Sequence, residues 1–101
     1  MIFRATTPTH IYTLPIDTSM LKRIRVTYEQ EDRTILEKTE TDCELVGSEI
    51  RITLTQEETL LFDSDHRVKI QLRVLTNDGK ALASEIVRKY ARSCLNEEVL
   101  A

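Results

Sequence analysis

The sequence predicts an all-β domain, an antiparallel immunoglobulin-like β-sandwich of about seven strands with one short helical turn. Two observations lead to this fold class. Ile, Val and Thr, whose branched β-carbons suit a pleated sheet, make up 28 of the 101 residues. Short segments of alternating apolar and polar residues also recur along the chain, separated by turn-forming residues. A chain of this length has room for one domain, so residues 1–101 are expected to form a single sandwich.

The first predicted strand covers residues 9–15. It places His10, Tyr12 and Leu14 on one side, and Pro15 ends it or confines it to a sheet edge.

The clearest strand covers residues 22–29, where Ile24, Val26 and Tyr28 alternate with polar residues and define a core face. After a polar break, residues 33–38 predict a second strand that forms a hairpin with it. Either Ile35 or Leu36 must face inward there, and the pattern leaves both options open.

A second hairpin is predicted around Gly47-Ser48, between strands at residues 43–46 and 49–55. A two-residue loop with Gly first suits a type II′ turn, because Gly tolerates a positive φ.

The alternation breaks after this hairpin. Thr55, followed three residues later by Glu58, forms a capping box, which predicts a single helical turn. We expect Leu60, Leu61 and Phe62 to close one end of the core.

Residues 67–76 contain the longest alternating run and predict a central strand. Asn77-Asp78-Gly79 then predicts a hairpin that returns the chain antiparallel to this strand.

Residues 81–95 fit two structures. The tight turn favours a strand over residues 81–90, with Leu82, Ile86 and Tyr90 on one side. The apolar spacing also fits a helix over residues 82–95, which would make the domain α+β. Residues 96–101 are expected to form a flexible tail or a contact arm.

Candidate chemical sites are few. Asp63, Asp65 and His66 lie close in sequence but lack the rest of a calcium loop, so a polar turn is the preferred interpretation. His10 could in principle act as the base for a Cys43 or Cys94 nucleophile, but no local sequence signature supports nucleophilic catalysis. Adjacent carboxylates point apart, and the two isolated glycines cannot build a phosphate loop. We therefore expect no enzyme activity and no catalytic, cofactor-binding or metal site.

Charge and aromatic content argue against other partners. The net charge of -3 disfavours a nucleic-acid binder, and five aromatic residues are few for base stacking or sugar binding. Basic side chains on the outward sides of strands could line an anion-binding face, although interspersed glutamates favour cross-strand ion pairs there. These residues are Arg23, Arg25, Arg51, Lys69 and Arg73.

Export and membrane association are not expected either. No apolar run is long enough for a membrane span or a secretory signal, so we expect the chain to be made in the cytoplasm without membrane association. Cys43 and Cys94 are expected to be free thiols.

Four segments carry a resemblance: residues 5–15, 24–28, 54–62 and 73–84. Together they resemble small uncharacterised proteins of bacteriophages and prophages from Gram-positive bacteria. In strand order and closing hairpin, the chain is more loosely similar to the immunoglobulin-like N-terminal domain of phage baseplate upper proteins. The resemblance implies a virion-, tail- or baseplate-associated module that acts through protein–protein contacts, and it brings no catalytic residues.

The leading hypothesis is therefore a non-enzymatic phage structural or assembly module whose partners are other phage structural proteins and which is incorporated into the virion. The alternative is a small prophage-encoded regulatory protein that binds a host protein. Few prolines block the strand edges, so edge pairing into a homo-oligomer is also plausible. The sequence does not single out the binding surface.

Overall fold

The computed structural model describes residues 1–101 as a sandwich of two β-sheets. The larger sheet has the strand order β1-β9-β7-β3-β4, with β8 also paired to β7, and the smaller sheet has the order β2-β6-β5. The strands are β1 (Ile2–Phe3), β2 (Thr9–Thr13), β3 (Leu21–Gln30), β4 (Arg33–Thr39), β5 (Cys43–Val46), β6 (Glu49–Thr53), β7 (Arg67–Thr76), β8 (Ala81–Ala83) and β9 (Val87–Arg92). The all-β prediction is confirmed.

Strand order makes this sandwich immunoglobulin-like. In the letters of that fold, β4, β3, β7 and β9 follow the order C′-C-F-G, and β2, β6 and β5 follow the order B-E-D. The first strand differs, because β1 pairs in parallel with β9 and leaves the place beside β2 empty.

The core lies between the sheets and consists of 13 buried apolar residues. Alternation along β3 and β7 supplies most of them, since every second side chain of these neighbouring strands points inward. Tyr28 occupies the centre, where its ring lies 6.0 Å from that of Phe62. Both side chains are almost fully buried.

The two hairpin glycines confirm the predicted turns. Gly47 has a φ of +58° between β5 and β6, and Gly79 has a φ of +88° between β7 and β8. The turn between β3 and β4 reaches positive φ without glycine, at Glu31 (49°) and Asp32 (61°).

The capping box is confirmed as well. Thr55 accepts a hydrogen bond from the Glu58 N–H, and the Glu58 carboxylate accepts one from the Thr55 N–H, which starts the single turn α1 (Gln56–Thr59). Of the three residues expected to close the core, Leu60, Leu61 and Phe62, only Phe62 does so, and Leu60 is half-buried without joining the core cluster. Phe62 is buried and Leu61 is 56% exposed.

Residues 81–92 form strand rather than helix, in two pieces, so the α+β alternative is wrong. The Ser84 hydroxyl accepts a hydrogen bond from the Leu72 N–H. A side-chain oxygen therefore replaces the main-chain carbonyl that a paired strand would offer, and β8 ends before it. This interruption shifts the alternation by one residue. Leu82 pairs with Val74 on the inner face and Tyr90 with Arg67 on the outer face, so the expectation that they share a side is also wrong.

Residues 96–101 lie against the body of the domain. The Gln56 side-chain amide donates to the Leu100 carbonyl and accepts from the Leu100 N–H, at 2.9 and 2.8 Å. Glu97 forms an ion pair of 2.9 Å with Arg4. The flexibility expected of this tail stays a prediction.

Besides α1, the chain has two single 3-10 turns, Thr18–Met20 and Glu40–Asp42. None of these helices is long and apolar enough to cross a membrane.

Candidate functional site

One edge of the smaller sheet carries unpaired main-chain groups. β2 pairs with β6 alone, and two hydrogen bonds of 2.8 and 3.0 Å extend the same ladder past both of its ends: Leu14 N–H to Ser48 and Leu54 N–H to Pro8. In an antiparallel ladder, successive residues turn their main-chain groups to opposite sides. His10 and Tyr12 therefore bond to β6, and the N–H and C=O groups of Thr9, Ile11 and Thr13 point away from the sheet.

A groove, here called the β2 groove, opens between the sheets beside this edge. It has a volume of about 340 Å³ and is lined mainly by apolar side chains of β2, the segment after it, β7 and β8. Leu72 and Val74 form its floor and are only 3% and 6% exposed. Leu14, Pro15 and Leu82 are also among its lining residues. The groove exists because no strand lies beside β2 to cover this part of the core.

Ser84 fixes one end of the β2 groove. Its N–H donates to the Leu72 carbonyl at 2.8 Å while its hydroxyl accepts the Leu72 N–H at 3.0 Å. The N–H and C=O groups of Leu72 are thus both hydrogen-bonded at the position where its side chain forms the floor of the groove. Tyr12 stands on the β2 side, where burial raises the pKa of its hydroxyl above the ordinary value. The groove combines an apolar floor with a few polar groups at the rim, as ligand and peptide sites commonly do.

His10 faces the interior from the same strand. Its Nδ1 lies 2.7 Å from the Tyr28 hydroxyl, and its ring lies 5.6 Å from the Tyr28 ring. Burial and then the positive charge of Lys89 lower the pKa of His10 to about 4. Burial raises the pKa of Tyr28 well above its usual range. His10 is therefore neutral at neutral pH and hydrogen-bonded to a core tyrosine.

The two thiols lie apart from His10 and from each other. His10 on β2 and Cys43 on β5 lie opposite the same residue, Ile52, from the two sides of β6, so that strand separates His10 from Cys43. Burial raises the pKa of Cys43 to about 11. The Cys94 thiol contacts the Arg4 carbonyl at 3.2 Å. The structure does not bring together the nucleophile and base considered from the sequence.

Asp63, Asp65 and His66 turn to different partners. The Asp63 main chain bonds to the Gln30 side chain, Asp65 pairs with Arg92 at 2.5 Å, and His66 Nδ1 lies 2.9 Å from Glu31. No group of three or more His, Cys, Asp or Glu side chains is arranged to hold a metal ion.

The basic residues considered from the sequence divide between two faces. Arg23, Arg25, Lys69 and Arg73 lie on the outer face of the larger sheet, since each is next to an inward-facing residue of β3 or β7. Arg51 lies on the outer face of the smaller sheet, where it pairs with Glu49 at 2.7 Å and Glu44 at 3.8 Å.

Sequence reasoning missed the β2 groove entirely. Its residues come from two segments far apart in the chain, β2 with the residues that follow it and the β7–β8 hairpin, and only strand order shows that they meet. The run Leu14-Pro15-Ile16, apolar yet outside any strand, is the one local signal that could have indicated it.

Comparison of the chain with models of known protein families, with curated proteins and with solved structures finds no match. The description of the fold as immunoglobulin-like is accordingly based on strand order and pairing.

Proposed function

We propose that this chain is a protein-interaction module that accepts an extended segment of a partner protein along the free edge of β2. In this proposal it serves as a non-enzymatic structural or assembly component of a phage or prophage particle. One observation carries the proposal: the strand whose Thr9, Ile11 and Thr13 main-chain groups point outward leads, at Thr13, into an uncovered apolar groove.

A strand added beside β2 would satisfy both features at once. Its main chain would bond to the outward N–H and C=O groups, which is how sheet edges bind extended peptides. Because strand side chains alternate between faces, every second side chain would enter the β2 groove. The partner segment is therefore extended, with apolar residues at alternate positions.

A separate segment fits the β2 groove better than a second copy of β2. The inward side chains of a second β2, such as His10 and Tyr12, already occupy their own sandwich and cannot fill a neighbour's groove. Pro8 and Pro15 also limit the length over which two such edges could pair. Self-association through β2 is the competing outcome.

The setting in a particle is supported by the resemblance to phage and prophage proteins and to the baseplate domain. Strand addition is a contact that holds subunits together and requires no catalytic group. The module would thus contribute a binding edge, and its partner the missing strand.

The test uses two substitutions at Ile11, a residue that is 55% exposed. Ile11→Pro removes one outward N–H without removing a β2–β6 hydrogen bond, and Ile11→Thr keeps that N–H while changing the side chain. Particles are purified from the phage or lysogen that encodes each variant, and the chain is measured by mass spectrometry. We expect wild type and Ile11→Thr to be incorporated and Ile11→Pro to be lost.

A second pair addresses the β2 groove. Leu82→Lys places a charge at its wall, and Leu95→Lys adds the same charge at a fully exposed position elsewhere. Leu82→Lys should lower incorporation and Leu95→Lys should not, with both proteins shown to be folded by circular dichroism. The proposal fails if wild-type particles lack the chain, if Ile11→Pro is incorporated normally, or if sedimentation shows a dimer that Ile11→Pro disrupts.

A further inference from the structure

The outer face of the larger sheet concentrates positive charge. Seven of the 14 Lys and Arg residues lie there, on β3, β7 and β9. The strands place two carboxylates among them, Glu29 and Glu37, and two more from adjoining turns, Glu40 and Asp65, pair with cations of this face. We call this surface the basic face; its cations are Arg23, Arg25, Arg67, Lys69, Arg73, Arg88 and Arg92. Because the whole chain carries a net charge of -3, the rest of the molecule is strongly acidic.

Strand register places like charges directly opposite each other on the basic face. Arg25 pairs with Arg73 across β3 and β7, and Lys69 pairs with Arg88 across β7 and β9. Like charges directly opposite on a sheet destabilise it. Arg25 is compensated by Glu40 at 2.9 Å and Glu37 at 3.7 Å. Arg73, Lys69 and Arg88 take part in none of the ion pairs of the structure.

A depression of about 230 Å³ lies at the first of these pairs. Arg23, Arg25 and Arg73 surround it, together with apolar atoms of Leu75 and Ala81. Glu40 pairs with Arg23 at 3.6 Å and with Arg25 at 2.9 Å, whereas Arg73 has no ion pair and provides guanidinium donors for an anionic group that enters the depression.

The other end of the basic face carries a tyrosine between two arginines. The guanidinium carbons of Arg67 and Arg92 lie 5.6 and 5.4 Å from the centre of the Tyr90 ring, which is 41% exposed. Tyr and Arg are the residues that most often carry binding energy in protein interfaces. Both ends of the face therefore have the composition of a binding surface.

We propose that the basic face docks an acidic segment of a partner protein, with one carboxylate held in the depression between Arg23, Arg25 and Arg73. The charge of the face is complementary to such a segment, and binding would provide carboxylates for Arg73, Lys69 and Arg88, which form no ion pair within the chain. This surface is on the opposite side of the larger sheet from the β2 groove, so the inference does not depend on the proposed strand addition.

A protein segment fits better than a nucleic acid. Glu29 and Glu37 interrupt the row of cations that a continuous phosphate backbone would follow, and the acidic remainder of the chain repels a long polyanion. Tyr90 is the one aromatic residue among the cations on β3, β7 and β9, which gives no platform for successive bases.

The test measures binding of fluorescein-labelled decaglutamate by fluorescence anisotropy at low ionic strength, with a decaglutamine peptide and a single-stranded oligonucleotide for comparison. The variants are Arg73→Gln and Arg88→Gln, and the matched control is Arg51→Gln on the other sheet. We expect the wild type and Arg51→Gln to bind decaglutamate alike, and each test variant to bind roughly tenfold more weakly.

Thermal unfolding of the same proteins separates loss of binding from loss of fold. Because Arg73 faces Arg25, Arg73→Gln should unfold at the same or a higher temperature than the wild type while binding more weakly. Three results overturn the proposal: no binding of decaglutamate above decaglutamine, equal weakening by Arg51→Gln, or tighter binding of the oligonucleotide with the same dependence on Arg73 and Arg88.

Discussion

Acid should destabilise this fold through a single half-buried histidine, His10. His10 is held neutral by its position between the sheets, facing the Tyr28 hydroxyl from β3 and the charged Lys89 from β9. Its pKa is lowered from the ordinary 6.5 to about 4. Between these two values the unfolded chain binds a proton that the folded chain does not bind. The stability that the neutral His10 imidazole provides is therefore fully present above pH 6.5 and is lost as the pH falls toward 4.

The size of the loss follows from the same two values. One pKa unit corresponds to about 1.4 kcal/mol, so the difference sets an upper value of roughly 3 kcal/mol. Partial exposure of the imidazole reduces this to about 2 kcal/mol. Contacts also lower the pKa of five carboxyls, but those groups reduce stability only as the pH falls below about 4.5. They are Asp17, Glu40, Asp42, Glu58 and Asp65.

The assay is urea unfolding followed by circular dichroism at several pH values between 7 and 4.5. His10→Gln keeps a polar group near Tyr28 but cannot titrate, so its free energy of unfolding should change by about 2 kcal/mol less than that of the wild type over this range. Ile11→Thr, which removes no titratable group, is the control and should keep the wild-type dependence. If His10→Gln loses as much stability as the wild type, the reasoning about the buried imidazole is refuted.

Four other predictions concern a buried ion pair, two turns and the free edge of β2. Lys38 is 9% exposed and pairs with Glu58 at 2.5 Å, so Lys38→Ala should lower the free energy of unfolding by roughly 3 kcal/mol in urea titrations, and an unchanged midpoint would contradict this. Replacing Glu31-Asp32 by Asn-Gly should stabilise the fold by about 1 kcal/mol, because both residues have positive φ. Gly47→Ala should do the opposite, since its added Cβ meets no atom within 4 Å but the φ of +58° is strained for alanine. Amide exchange should alternate along β2, fast at Thr9, Ile11 and Thr13 and slow at His10 and Tyr12, and uniform protection would contradict the free edge.

The sequence predicted those elements whose pattern is local. β3 and β7 were recognisable because each has one wet and one buried face, and that produces a two-residue period. The turn α1 was recognisable because its capping box lies within four residues.

The elements that were missed depend on distant pairing. β1 has only two residues and exists because Ile2 and Phe3 pair with Ala91 and Arg92. The break at Ser84 depends on a side-chain hydrogen bond to Leu72, which periodicity cannot show.

The same limit applies to the candidate surfaces. Four cations of the basic face were identified from alternation in β3 and β7, but Arg88 and Arg92 joined them only once β9 was placed beside β7. The β2 groove depends on the empty place beside β2, a property of strand order alone.

Site-specific photo-crosslinking in purified particles tests the proposed strand addition most directly. A photoreactive amino acid replaces Leu82 at the wall of the β2 groove or, as the control, fully exposed Leu95. We predict that position 82 cross-links to one segment of another particle protein, with apolar residues at alternate positions, and that position 95 does not reach that segment. Cross-links from position 82 only to a second copy of this chain, or to no particle protein, would contradict the account.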